Sequence, residues 1–245
     1  RTSLLLIALL FSSAFAYSAE PDSTGMAGDH LDLNAVLELF KDSESVEEFE
    51  NSLNSEKVGV NNLDLNNDGH VDYIRVIDHA DGDAHSLTLQ VPYSDKEAQD
   101  VAVIEIEKNG DETTAQIVGD EELYGEDYIV EPTSDDANKA TNVSAWTPVR
   151  HIYSPRYVIW VSPWRFGYYP KWYRPWNPIA WHVYHGKHRH HHTHYRRSHI
   201  YRCPRAHQHY NKHKVHSVAF HNHHHPIHHK GGKAQNQGKV NNGKA

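Results

Sequence analysis

The apolar residues between positions 71 and 118 fall into four short runs separated by polar turn residues. The runs have the two-residue period or the continuous apolar character of β-strands, and they cover residues 71–77, 86–91, 101–106 and 114–118. Asp81-Gly82-Asp83 and Asn109-Gly110-Asp111 connect them with residues typical of tight hairpin turns. With a further strand expected at 128–131, the pattern predicts an antiparallel β-meander.

Two short amphipathic helices are predicted before the meander. The first covers about residues 32–42 with Asp32 or Asn34 as its N-cap, and its apolar positions lie three and four residues apart: Leu33, Val36, Leu37 and Phe40. The second begins with the capping-box pattern of residues 45–48. Helices this short are marginal alone, so we expect both to pack on the sheet. The predicted fold class is α+β: an N-terminal helical hairpin on a small antiparallel β-meander, followed by an extended, largely irregular tail rich in Pro, aromatic residues and His.

The charged residues divide the chain near residue 145. All 32 Asp and Glu precede Trp146, whereas 17 of the 24 Lys and Arg, 19 of the 23 His and all 6 Trp lie from Trp146 onward. The two parts are expected to attract each other, within one chain or between chains. We therefore expect an acidic α+β domain at 30–131, a linker at 132–145, a Trp, Tyr, Pro and Arg segment at 146–181, and a disordered, basic, His-rich tail at 182–245.

The first residues are typical of an export signal. Residues 3–16 are apolar and end in Ala14-Phe15-Ala16, which predicts a signal peptide (1–16) cleaved after Ala16 and a flexible mature N-terminus at 17–29. A buried helix is the alternative. The run is too short to span a membrane, so no transmembrane span is expected in the mature chain. The expected location is the periplasm, the outer envelope or the extracellular space.

Residues 64–72 have the spacing of a calcium-binding loop. Asp64, Asn66 and Asp68 alternate so that three side-chain oxygens can converge on one cation, and Gly69 follows at the expected sharp turn. The main-chain carbonyl of His70 and the carboxylate of Asp72 complete the predicted ligands. Hard oxygen ligands favour calcium over transition metals. The lone Cys203 cannot form a disulfide within the chain, so a structural ion would be an alternative stabilising device.

Two features separate this loop from an EF-hand. Arg75 stands where an EF-hand has its bidentate Glu, and the following residues predict a strand rather than an exit helix. The loop is more similar to the D-x-[DN]-x-D-G-x-x-D loops that precede strands in FG-GAP-type repeats, although it occurs once. A structural role is expected, because a sensor needs a helix pair that opens. The alternative is an Asx-rich turn without a metal, since turns prefer the same residues.

Aromatic and cationic residues alternate between positions 146 and 181. Such side chains stack on sugars or bases, insert at a membrane interface, or pack as a Pro-rich extension. Nucleic acid is not an expected partner, because no nucleic-acid-binding signature accompanies them and the chain carries an export signal. The residues predicted to bind a partner are Trp160, Trp164, Arg165, Tyr168, Tyr169, Trp172, Arg174 and Trp176.

The histidines of the tail form a second candidate site. Imidazoles at this density bind zinc, nickel or copper, although no fixed ligand spacing emerges. The alternative is a basic low-complexity tail without a metal. The candidate ligands are His188, His190, His191, His192, His194, His221, His223, His224, His225, His228 and His229.

Three motifs together resemble a known group of proteins. Residues 63–78 read LDLNNDGHVDYIRVID, residues 99–108 read QDVAVIEIEK, and residues 158–170 read VIWVSPWRFGYYP. They are similar, over most of residues 30–181, to a family of exported, functionally uncharacterised proteins from Bacteroidetes-type bacteria. The resemblance implies an exported envelope protein with an acidic domain and an aromatic, basic tail, and it implies no known activity.

These patterns together predict a binding protein rather than an enzyme. The sequence contains no G-x-S-x-G, H-E-x-x-H, P-loop or G-x-G-x-x-G motif, and the acids of the domain have the spacing of solvated faces. We expect an exported, non-enzymatic protein with one structural calcium ion, whose cationic aromatic tail contacts a cell-envelope component or an acidic protein or polysaccharide surface. The alternatives are a periplasmic transition-metal buffer acting through the His tail and an envelope polysaccharide binder using the aromatic residues.

Overall fold

The computed structural model describes residues 23–136 and 138–224 and confirms an α+β fold. The predicted signal peptide lies outside these residues, as do His225, His228 and His229. Neighbouring strands of one antiparallel sheet follow one another along the chain: β1 (Arg75–Asp81), β2 (Ala84–Val91), β3 (Gln99–Asn109), β4 (Glu112–Gly119), β5 (Ile129–Pro132) and β6 (Tyr195–Ser198). The helices are α1 (Leu33–Asp42), α2 (Val46–Leu53), α3 (Glu121–Tyr124), α4 (Thr147–Ile152), α5 (Trp181–His188), α6 (Pro204–Asn211) and α7 (Val218–His224).

Both predicted N-terminal helices begin at predicted caps. The Asp32 carboxylate accepts a hydrogen bond from the main-chain N–H of Asn34, and the Ser45 hydroxyl accepts one from the N–H of Glu48. The Glu48 carboxylate accepts from the N–H of Glu44, one residue before the position used in a standard capping box. These bonds satisfy N–H groups that a helix cannot pair internally, which explains why both helices start where the sequence predicts.

The strands follow the predicted meander, with one shift at the start. Tight turns at Gly82 and Gly110 join β1 to β2 and β3 to β4, and their φ angles of 61° and 63° lie in the left-handed region that favours glycine. The first strand begins at Arg75 rather than Val71, because the N–H of Val71 bonds to the carbonyl of Trp176 instead of to a neighbouring strand.

One face of the sheet is apolar and carries α1 and α2. The rings of Phe40 and Phe49 meet edge to face with centroids 5.4 Å apart. Burying each side chain of this size contributes roughly 1.5–3 kcal/mol, so this face supplies most of the apolar core. Its strand residues include Val76, Leu87, Leu89, Ile104, Ile106, Ile117 and Val130.

The opposite face of the sheet is largely polar, apart from a small apolar cluster of Val103, Val118 and Ile129 under Tyr210, and it is buried as well. Glu105, Glu107 and Glu131 are almost fully inaccessible to solvent, so the prediction that the acids of the domain lie on solvated faces is wrong for them. Helix α6 packs across β1, β2 and β3 on this side. The carboxylates are buried because the basic part of the chain lies over them and supplies their partners.

Residues 182–224 therefore differ from the expected disordered tail. Strand β6 pairs with β5, and Tyr184, Tyr210 and Phe220 are buried. The predicted linker is also partly packed, since Val143 is buried and its N–H donates to the carbonyl of Thr113. Low-complexity composition indicates disorder only when no partner surface exists, and here the acidic face of the sheet is that surface. Among the described residues, no helix is long and apolar enough to cross a bilayer.

Candidate calcium loop and partner-binding surface

The predicted calcium loop lies between α2 and β1 and is closed at its base by hydrogen bonds. The side-chain amide of Asn61 donates to the carbonyl of Asp72 at 2.7 Å, and the N–H of Asp72 donates to the carbonyl of Leu63 at 2.7 Å. These bonds hold the two ends of the loop together, which places Asp64 and Asp72 on neighbouring stretches of chain.

Inside the loop, side-chain oxygens accept main-chain N–H groups. Asp64 accepts from Asp68 and Gly69 at 3.0 and 2.9 Å, Asn66 accepts from Asp68 at 2.9 Å, and Asp68 accepts from His70 at 2.9 Å. Gly69 has a φ of 83°, which explains the glycine at this position. Such bonds orient the oxygens of a calcium loop and equally of an Asx-rich turn, so the hydrogen bonds alone do not separate the two interpretations.

Asp72 is a half-buried acid at the end of the loop. Its Oδ2 accepts from the N–H of Leu65 at 2.7 Å. Burial raises the pKa of Asp72 to about 7, and the charges of Asp64 and Asp68 add to the rise. A bound cation would offset both the burial of Asp72 and the repulsion from Asp64 and Asp68. The oxygen donors of the loop are therefore of the type that binds calcium. Within the described part of the chain, however, no three His, Cys, Asp or Glu side chains are arranged so that they could hold a metal ion.

The aromatic segment packs directly against the end of this loop. The Tyr173 hydroxyl donates to the carbonyl of Val71 at 2.8 Å, and Tyr73 stacks on Tyr169 with ring centroids 5.3 Å apart. A cleft of about 230 Å³ remains between the loop and the segment. Sequence spacing does not predict these contacts, because 102 residues separate Val71 from Tyr173.

Glu50 of α2 anchors the same segment to the domain. Its carboxylate accepts four hydrogen bonds: from the hydroxyls of Tyr73 and Ser162 at 2.9 and 2.7 Å, the N–H of Val76 at 2.9 Å and the indole N–H of Trp160 at 3.0 Å. Burial raises the pKa of Glu50, and these hydrogen bonds oppose the rise. The sequence carries a signal for this role, since Glu50 occupies a position four residues after Val46 on the buried stripe of α2.

The residues predicted to bind a partner divide into two groups. The half-buried ones pack on the domain: Trp160, Trp164, Tyr169 and Trp176. The exposed ones are Arg165, Tyr168, Trp172 and Arg174. Exposed aliphatic residues that the prediction missed occur in the same segment, and Val158 is 82% exposed. We call the exposed apolar side chains of this segment the exposed apolar surface, and it comprises Val158, Ile159, Val161, Phe166, Tyr168 and Trp172.

The described tail histidines lie around the end of α5 and on α7. Some of them connect the tail to the acidic domain: His192 Nε2 lies 2.7 Å from Oδ2 of Asp32, and His224 Nε2 lies 3.1 Å from the carbonyl of Leu65 in the candidate calcium loop. His190 and His191 contact each other, with ring centroids 3.9 Å apart. The structure thus uses several predicted metal ligands as packing and hydrogen-bonding residues.

Comparisons with protein-family models, with curated proteins and with solved structures find no match to this chain. Function is therefore inferred from the geometry and chemistry of the loop, of the exposed apolar surface and of the basic residues in the same segment.

Proposed function

We propose that this protein is an exported, non-enzymatic component of the cell envelope. It binds an anionic envelope surface through the exposed apolar surface and the neighbouring Arg165 and Arg174, and one calcium ion stabilises the loop behind that surface. The observation that supports this most directly is that residues 158–174 are anchored by buried hydrogen bonds and yet present apolar and cationic side chains to solvent: Val158 is 82%, Tyr168 63% and Trp172 49% exposed. Six exposed apolar side chains within residues 158–172 are more than the singly scattered surface residues of an ordinary domain, and such a concentration favours an interaction site.

The positive charge of this region indicates a negatively charged partner. No Asp or Glu occurs in the sequence after Asp136, and in the structure Arg165 and Arg174 are both exposed. Arginine binds carboxylates and phosphates with several N–H donors at once, and such contacts weaken as salt is added. An anionic surface with apolar regions is therefore the partner that these side chains match.

The binding test uses co-sedimentation of the purified protein with vesicles of phosphatidylcholine, with and without phosphatidylglycerol, and with beads that carry an acidic polysaccharide. We expect binding only to the anionic surfaces, with a decrease at high salt. Combining Val158→Ser with Trp172→Ser should weaken binding about tenfold or more. Val218→Ser changes a similarly exposed valine on α7 and should have no effect. A wild-type protein that binds neither anionic surface better than the neutral one would refute the proposal.

The calcium part of the proposal rests on the half-buried carboxyl group of Asp72, on which the charges of Asp64 and Asp68 act. The loop residues would hold the ion through the side chains of Asp64, Asn66, Asp68 and Asp72 and the carbonyl of His70. Ligand binding to the native state stabilises it by about 2.7 kcal/mol at a hundredfold excess over Kd. We expect calcium to raise the melting temperature of the wild type and of Glu126→Ala, and to leave that of Asp68→Ala unchanged. Equal responses of all three proteins would exclude the site.

A transition-metal buffer remains a second prediction, supported by the contact between His190 and His191. Deleting the tail is not a suitable test, because β6 and α6 belong to the fold. His190 and His194 are exposed and His191 is half-buried, so replacing all three by Gln should leave β6 and α6 folded. Equilibrium dialysis against zinc or copper then measures the change in metal binding. Unchanged metal binding after these replacements would count against a role for this group.

A further inference from the structure

A cleft of about 350 Å³ opens beside β1. It is lined by Arg75 and Gln90 of the sheet, by the connection between β2 and β3, and by Arg165, Phe166 and Tyr168 of the aromatic segment. The volume lies at the lower end of the range of about 300–1,000 Å³ for small-molecule sites. The cleft thus joins a buried part of the acidic domain to the exposed apolar surface.

Arg75 is held rigidly in this cleft. Its Nε donates to the side-chain oxygen of Gln90 at 2.9 Å, its Nη2 donates to the same oxygen, and its Nη1 donates to the carbonyl of Trp164 at 3.3 Å. The Gln90 amide in turn donates to Asp100 at 2.6 Å. A guanidinium carries five N–H donors, so these bonds orient its plane and leave further donors for a ligand.

Arg165 provides a second guanidinium at the mouth of the cleft. Residues 165–168 form a tight turn in which Arg165 and Tyr168 exchange main-chain hydrogen bonds of 3.2 and 2.8 Å, and Gly167 has a φ of 71°. The Arg165 guanidinium lies 4.2 Å from the centre of the Tyr168 ring. Phe166 between them is exposed. The turn therefore displays a positioned cation and two aromatic rings beside Arg75.

Acidic groups also lie at this cleft. Asp95 and Glu97 line it, but the Glu97 carboxylate accepts hydrogen bonds from the Ser217 hydroxyl and the Ala219 N–H and so belongs to the contact with α7. Asp95 is exposed. The charges of Asp100 and Glu50 also act on Arg75 from inside the domain. Asp100 accepts hydrogen bonds from Gln90 and the N–H of Val215, and Glu50 accepts four, so both carboxylates are already bonded within the fold. The cleft therefore offers an anion the N–H donors of Arg75, Arg165 and Lys96.

We propose that this cleft binds the carboxylated sugar units of an acidic polysaccharide. The planar carboxylate pairs with the guanidinium groups of Arg75 and Arg165, and the apolar face of the sugar ring packs against Phe166 or Tyr168. A recessed cleft of this size accepts one or two residues of a chain, whereas a lipid bilayer would meet the protruding valines and Trp172. The inference rests on the proposed function, because it takes an anionic envelope component as the partner, and it adds the class of ligand and its site.

Calorimetric titration with oligogalacturonate tests this proposal. Methyl-esterified oligogalacturonate, which lacks the negative charges, is the control ligand. We expect the wild type and Arg150→Ala, which changes an exposed arginine outside the cleft, to bind the acidic sugar equally. Arg165→Ala should weaken binding about tenfold or more. Arg75→Lys keeps the positive charge but loses the planar guanidinium with its paired N–H donors. This variant should also weaken binding about tenfold or more. Phe166→Ala should weaken binding to the sugar without changing the response to inorganic phosphate.

Several results would overturn the inference while leaving the proposed function intact. They are equal binding of the esterified sugar, wild-type affinity in Arg165→Ala, or displacement of the sugar by equal concentrations of inorganic phosphate. Sedimentation of the wild type with anionic vesicles, without any heat on titration with oligogalacturonate, would assign the partner to lipid. Absence of binding to vesicles, polysaccharide beads and oligogalacturonate alike would refute both proposals. Melting curves of Arg75→Lys show whether a loss of binding reflects unfolding, and Arg165→Ala, on an exposed turn, provides the independent test.

Discussion

The apolar face of the sheet packs against α1 and α2, whereas the polar face packs against the basic segment 195–217. The first contact consists of interlocking apolar side chains such as Phe40 and Phe49. The second combines ion pairs with a small apolar cluster: Glu131 lies 2.9 Å from both Arg196 and Arg202, and Tyr210 packs on Val103, Val118 and Ile129. The same sheet is thus covered twice, once mainly through removal of apolar surface from water and once with a large share of charge pairing.

This difference explains how a chain divided into an acidic and a basic part forms one structure. A carboxylate buried without a partner would destabilise the fold by several kcal/mol. Glu105 faces His207 at 2.6 Å, and Asp120 faces Lys214 at 3.1 Å. The basic segment is therefore required by the sheet, and the attraction that the sequence predicts between the two parts occurs within one chain.

The largest effect is expected on the apolar face. Phe49→Ala removes a fully buried ring and should lower the free energy of unfolding by about 3–5 kcal/mol, because it combines lost burial with a cavity. Urea unfolding followed by circular dichroism measures the change. Val158→Ala, at a solvent-exposed position, should change stability by about 0.5 kcal/mol or less. A loss below about 1 kcal/mol for Phe49→Ala would contradict the assignment of this face as the main core.

A smaller effect is expected on the polar face. Glu131→Gln leaves Arg196 and Arg202 without their carboxylate, and we expect a loss of about 2–4 kcal/mol, since both arginines keep some access to water. The variant should also expose residues 195–217 to limited proteolysis before the rest of the chain. Glu112→Gln, on the exposed end of β4, is the matched control. Equal protease resistance of all three proteins would show that charge pairing does not hold this segment.

The smallest effect is expected on the pH dependence of the free energy of unfolding, and it depends on Asp100. This side chain accepts hydrogen bonds from Gln90 and from the N–H of Val215 on the polar face. Burial raises the pKa of Asp100 from 3.8 to about 6. The folded state therefore binds the proton of Asp100 more tightly than the unfolded state does. The stability that this proton contributes is complete below about pH 4 and is lost as the pH rises towards 6. Relative to Asp100→Asn, the wild type should lose about 1–3 kcal/mol between pH 4 and 7, measured by urea unfolding at each pH. Parallel pH profiles would contradict this.

Local sequence patterns predict much of the fold because their physical causes are local. Asp32 and Ser45 cap helices within three residues of themselves, and Gly82 and Gly110 adopt turn conformations that other residues resist. The spacing of residues 64–72 likewise predicts the hydrogen-bonded loop that the structure shows. Ion binding by that loop stays a prediction, because the same residues form turns without a metal.

The sequence by itself determined the two capped helices, the hairpins, the apolar face of the sheet and the separation of acidic from basic residues. Only the tertiary structure decided that Glu50 anchors the aromatic segment, that residues 182–224 cover the polar face, and that Arg75 and Arg165 share a cleft. The physical reason is distance along the chain: 112 residues separate Glu50 from Ser162, and 98 separate Glu107 from Arg205. Propensity and periodicity report on neighbours within a few residues, whereas a buried carboxylate finds its partner only when the whole chain has folded.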